Sequence, residues 1–134
     1  MAKCCGIDET GRFMLSRFFK LKPYNERKRN LKGIELVKKA KEKGLRVIAI
    51  TDSTRTKNEI LEHWKREFPE FLSFIDEIYS SRDLGKIKDD GSLFLEVLKR
   101  EKIKAREMVF VGHDEEVEVA KKLGIRSYFL DEID

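Results

Sequence analysis

Short, unbroken apolar runs constrain this chain more than any other feature. Leu45–Ile50 has one arginine among aliphatics, and Met108–Val111 is apolar throughout. A strand buried on one face alternates apolar with polar; these runs do not, so they belong to a parallel sheet covered on both faces. Between them lie stretches with helical spacing. In residues 31–43, Leu31, Ile34, Val37 (or Leu36) and Ala40 share a face, and Gly44 ends the helix. A second helix, starting near Thr54 or Thr56, carries Ile60, Leu61, Trp64 and Phe68 until Pro69 interrupts it, with Phe71–Phe74 as a short helical turn. Ser92 is predicted to cap a third, with Leu93, Phe94, Val97 and Leu98 inward, and Glu115–Leu123 forms a fourth, closed by Gly124. Further strands are predicted at residues 2–7, ending at Asp8, at Ile75–Tyr79 and at Ser127–Leu130. The alternation predicts one α/β domain over residues 1–134, a three-layer, Rossmann-like parallel sheet of five strands.

Composition narrows the class. A chain of 134 residues, 40% hydrophobic, suits one domain with a core that needs no staples. No apolar run approaches a membrane span and no leader pattern opens the chain, so a soluble, cytoplasmic protein is expected. The net charge of +4 is heavily self-compensated and argues only weakly for nucleic acid. Cys4 and Cys5 are adjacent, which disfavours an ordinary disulfide, and they read as small core residues of the first strand. Glutamine is absent and lysine, arginine and glutamate abound, a thermophile-like balance.

In parallel sheets ligands bind beyond the carboxyl ends of the strands. Those ends offer Asp8-Glu9-Thr10-Gly11, Thr51-Asp52-Ser53 and Gly112-His113-Asp114-Glu115, with Lys88 ahead of the third helix. Carboxylates, hydroxyls and an ammonium together suit a phosphate bridged by a cation.

In that order the residues resemble the haloacid dehalogenase-like (HAD) superfamily, over nearly the whole chain. The likeness is most specific over Val109–Leu130, nearly as good over Gly44–Ser53, and weakest at the first motif. It implies a phosphatase or phosphotransferase that works through an aspartyl-phosphate with Mg²⁺. Asp8 would be the nucleophile and Thr10 would stand where many relatives carry a second acid. Thr51, with the amide of Asp52, would hold phosphoryl oxygens, Lys88 would stabilise charge, and Asp8 and Asp114 would hold Mg²⁺.

Two departures from the family pattern are visible. Gly112 is followed by His113 rather than aspartate, and Mg²⁺ prefers oxygen, so Asp114 is the substitute acid. His113 itself reads as an ordinary hydrogen-bonded residue, a replaced site residue or a ligand for a softer metal. A second register of the first motif makes Asp8 the second acid and sets Gly6 where the nucleophile belongs, which would make the chain a catalytically degenerate relative. Acids at such turns also cap helices, and any one lysine among many is usually solvated. His63 reads as a surface residue.

From Arg12 to Lys32 there are eight cations and one acid, Glu26. The stretch reads as a solvated face or as a basic flap over the site that attracts an anionic substrate. Phe18, Phe19 and Tyr24 interleave with it, so nucleic acid is a weakly supported partner. The intervals between motifs leave no room for a cap domain, so a bulky or macromolecular phosphate, or closure by a second copy in a homo-oligomer, is expected beside a small phosphorylated substrate. The rival reading is a binding or assembly module that has lost its chemistry. A receiver-type signalling domain fits poorly, because its phosphorylated aspartate follows the third strand, where this chain has Tyr79-Ser80-Ser81.

Overall fold

A computed structural model describes residues 12–15, 24–112 and 115–130. The strands are β1 (Arg12–Leu15), β2 (Arg46–Thr51), β3 (Glu77–Ser80), β4 (Met108–Gly112) and β5 (Arg126–Phe129). The helices are α1 (Tyr24–Glu42), α2 (Lys57–Glu67), α3 (Pro69–Ser73), α4 (Ser81–Leu84), α5 (Ser92–Glu101) and α6 (Glu115–Lys122). All strand pairs are parallel, in the order β3-β2-β1-β4-β5. The chain winds outward from β1 to β3, then crosses to the other side for β4 and β5. Such a reversal opens a crevice at the carboxyl edge of the central strands.

The two unbroken apolar runs behave as their composition requires. Val47 and Ala49 of β2, with Val109 and Val111 of β4, face Leu36, Val37 and Ala40 of α1 and Ile60 and Trp64 of α2. Ile48 and Ile50, with Met108 and Phe110, face Leu93, Phe94 and Val97 of α5 and Val117 and Ala120 of α6. Each buried aliphatic or aromatic side chain contributes about 1.5–3 kcal/mol. The Phe94 and Phe110 rings meet edge to face at 4.9 Å across the second layer. No helix among the described residues is long and apolar enough to cross a membrane.

The helix ends have local causes. Thr56 caps α2 by accepting the Glu59 N–H, while the Glu59 carboxylate accepts the Thr56 N–H. β3 is an edge strand, and the Ile78 N–H is taken by the carboxylate of Glu77, which also pairs with Lys57. A charged pair along an edge discourages further strands from adding there.

Several expectations are corrected. The strand between β2 and β4 is Arg12–Leu15, not residues 2–7. Asp8 therefore precedes the central strand in the chain instead of following it; residues 2–7, Asp8 and Thr10 themselves lie outside the described residues, as do Cys4 and Cys5. The apolar triplet Phe13-Met14-Leu15 satisfies a doubly covered strand better than a run broken by Lys3 and Gly6, which is the physical reason for the shift. The basic stretch is not one flap: Arg12 is in β1, and Arg27, Lys28, Arg29 and Lys32 are in α1, which begins seven residues earlier than expected. Ser92 does not cap α5. Gly91 does, at φ +82°, and the Ser92 hydroxyl instead exchanges hydrogen bonds with the Ile87 backbone.

Candidate active site

Three elements deliver polar groups to the carboxyl edge. β2 ends at Thr51, which is buried, and the chain turns through Asp52 and Ser53 toward α2. The α4–α5 connection carries Lys88, whose backbone N–H donates to Asp52 Oδ1 at 3.2 Å. β4 ends at Gly112, and the first turn of α6 brings Glu116 back toward it.

The centre of this arrangement is an ion pair. Lys88 Nζ lies 2.9 Å from Glu116 Oε1, with the lysine side chain 1% exposed and the glutamate 11%. Lysines usually thread their stems to water, whereas this one stays inside. Burying an ammonium is costly unless a counter-charge and hydrogen bonds compensate. Glu116 supplies the charge, and Asp52 adds a second carboxylate nearby. Burial pushes the Asp52 carboxyl above its ordinary value, against the opposing pull of the Lys88 charge and N–H bond; Asp89 and Glu116 push it further up.

Gly112 makes the approach of Glu116 possible. A Cβ there would come within 2.5 Å of Glu116 Oε2 and 2.7 Å of Phe110 Cζ, closer than atoms tolerate. The glycine is needed for space, since the carboxylate folds over the strand end.

Thr51, Asp52 and Lys88 are thus brought to one place. Asp8, Thr10, His113 and Asp114 lie outside the described residues. Glu116 is the residue that sequence reasoning passed over in favour of Asp114. The signal was there: a lysine between strand ends needs an acid, and the run Asp114-Glu115-Glu116 offers three, of which only a helical first turn selects the third. The carboxylates of Asp52 and Glu116 are hard oxygen donors of the kind Mg²⁺ prefers, but one accepts the Lys88 N–H and the other pairs with its ammonium. Among the described residues no three acids, histidines or cysteines cluster as a metal site on their own.

A second set of groups holds the turn after β2. Ser81 Oγ accepts the Ser53 N–H at 2.9 Å and donates to the Ser53 carbonyl at 3.1 Å. Ser80 Oγ donates to the Arg55 carbonyl at 2.6 Å, and Asp83 Oδ2 accepts the Lys57 N–H at 2.7 Å.

A family model described as haloacid dehalogenase-like hydrolase matches residues 14–130. Two solved structures share the architecture. An uncharacterized protein from Corynebacterium glutamicum ATCC 13032 Kitasato is 15% identical with a TM-score of 0.65, over 90% of this chain and 84% of that one. The core domain of a Streptococcus pneumoniae TIGR4 protein, provisionally named a phosphoglycolate phosphatase, is 19% identical with a TM-score of 0.62, over 90% of this chain and 80% of that one. At these identities the likeness is one of fold.

Proposed function

The chain belongs to the haloacid dehalogenase-like hydrolase family, and from that premise we propose that it is a Mg²⁺-dependent phosphatase or phosphotransferase acting on a phosphate monoester. One observation carries the reading. Lys88 is held inside the carboxyl edge, between Asp52 and Glu116, beside the buried end of β2. An ammonium kept there against its desolvation cost suits the charge of a phosphoryl group in transfer.

In this reading Thr51 and the Asp52 amide take phosphoryl oxygens, and Lys88 balances the charge shared by phosphate and nucleophile. The nucleophile in this reading is Asp8, which precedes β1 in the chain, so the reading requires residues 8–11 to carry its carboxylate to the carboxyl edge. Its attack on phosphorus would break the bond to the leaving alkoxide, and water would then cleave the aspartyl-phosphate to release inorganic phosphate. Thr10 lacks the carboxyl of a general acid, so turnover is modest. Mg²⁺, held by Asp8 and Asp114, would neutralise phosphoryl oxygens. Arg27, Lys28 and Arg29 fall in the first turns of α1, the end of that helix nearest the carboxyl edge, which supports an anionic substrate.

A different observation favours a second reading. The central strand is followed by residues 16–23, which contain no acid, and the family match begins at residue 14, after Asp8 and Thr10. A chain that keeps the phosphoryl-holding edge without a nucleophile would serve as a binding or assembly module. Hydrolysis of p-nitrophenyl phosphate at raised temperature, with and without Mg²⁺, separates the two. Mg²⁺-dependent turnover lost in Asp8→Asn supports the enzyme. Turnover that survives Asp8→Asn excludes Asp8 as nucleophile, and a wild type that binds phosphate without turnover supports the module.

A further inference from the structure

Four consecutive residues, the last of β3 and the first three of α4, grip the turn that leaves β2. Ser80 binds the carbonyl of Arg55, Ser81 both donates to and accepts from the backbone of Ser53, and Asp83 accepts the N–H of Lys57. Between them, Arg82 Nη1 reaches the Thr54 carbonyl at 3.4 Å, a longer and weaker contact. Ser80 is buried and also accepts the Arg82 N–H, which starts α4 and fixes the spacing of the other three. Apart from that N–H, every backbone group engaged belongs to residues 53–57, the segment that leads from the candidate phosphoryl-holding pair Thr51-Asp52 into α2.

This is more restraint than a surface turn requires. A loop of that length is ordinarily satisfied by water, and the cap of α2 is already complete through Thr56 and Glu59. The Ser53 N–H shows what the restraint does. At many strand-to-helix turns successive amides stay open to an anion, yet here the Ser53 amide is taken by Ser81. That bond holds the Asp52–Ser53 peptide, while the Asp52 side chain is held separately by the Lys88 N–H.

We infer that Ser80, Ser81 and Asp83 are positioning residues that hold the β2–α2 turn in the geometry needed for binding a phosphoryl group. The inference rests on the phosphoryl-site reading above. It gives α4, an element with no buried residue of its own, a purpose in the fold. Preorganised donors lose less on binding than donors that must be ordered first.

The test uses the full chain, titrated with inorganic phosphate in the presence of Mg²⁺, together with amide hydrogen exchange across residues 51–57. Ser81→Ala removes both bonds to Ser53, Ser81→Thr keeps the hydroxyl, and Asp83→Ala removes the Lys57 contact independently. Ser127→Ala serves as the control, because it loses a serine-to-carbonyl bond in β5, away from this turn. Ser81→Ala and Asp83→Ala are expected to weaken phosphate binding about tenfold. Their exchange should quicken only across the turn, while Ser81→Thr and Ser127→Ala bind as wild type does. Unchanged affinity in Ser81→Ala and Asp83→Ala, with wild type binding phosphate, overturns the inference and leaves the phosphoryl site standing. Equal loss in Ser127→Ala also overturns it, since the effect would then be one of general stability. A wild type that binds no phosphate refutes the phosphoryl-site reading itself, and the inference falls with it.

Discussion

Removal of Glu116 should destabilise the whole fold, because it takes away a counter-charge held against a lysine that has almost no access to water. Lys88 is 1% exposed and its ammonium lies 2.9 Å from the glutamate oxygen. At that separation, with an effective dielectric near 20, the attraction is about 5–6 kcal/mol. Most of it offsets desolvation of the two ions, so the net worth of the pair is small. The loss on breaking it is not small: about 3–5 kcal/mol, the range for removing one partner of a buried ion pair. For a chain of this length, 4 kcal/mol corresponds to a fall in melting temperature of about 10–15 °C. Glu116→Ala, followed by thermal and urea unfolding, measures it. Adding Lys88→Met to Glu116→Ala removes the buried ammonium as well and should restore more than half of the loss, although Lys88→Met alone should abolish any phosphate-dependent function. A fall below about 1 kcal/mol in Glu116→Ala would refute the reasoning, since that is the worth of a solvated surface pair. A double variant no more stable than Glu116→Ala would refute it as well, by showing that the glutamate acts through packing against Gly112 and not through Lys88.

Two further predictions concern other parts of the fold. Asp76 accepts the Val47 N–H and pairs with Lys41; burial works against its ionised form, yet those contacts prevail and hold the carboxyl below its ordinary value. A folded-state value lower than the unfolded one means stability that is complete above about pH 4 and disappears as pH falls through the folded value. Asp76→Asn should therefore flatten the acid limb of the stability curve, and limbs that run parallel in the two proteins would exclude that account. Lys102 ends α5 at φ 59°, a left-handed conformation that costs a non-glycine residue about 1 kcal/mol. Lys102→Gly should raise stability by roughly 0.5 kcal/mol after the entropy cost of glycine is counted, and a lower urea midpoint would show that the lysine side chain contributes more than its backbone loses.

What could be read from the sequence, and what could not, divides by the range of the physics involved. β2, β4 and the helices α2, α5 and α6 were legible because burial on two faces and helical periodicity are written in adjacent residues. Thr51 and Lys88 followed from them, since a strand with known direction places whatever comes after it. β1 was misplaced because a four-residue strand carries little periodicity, and two segments compete for one slot between β2 and β4. Phe13-Met14-Leu15 wins on apolar content, while Cys4-Cys5-Gly6-Ile7 was favoured by the acid that follows it. The choice decides the chemistry: the occupant of the slot sets which residues emerge at the carboxyl edge beside Thr51 and Gly112. Glu116 and the Ser80–Asp83 grip escaped notice for another reason. Both are contacts between segments far apart in the chain, and both involve residue types that are usually solvated. A buried lysine should prompt a search for its acid one helical turn past the facing strand. Here that search begins at Gly112, whose missing side chain makes the room that Glu116 occupies.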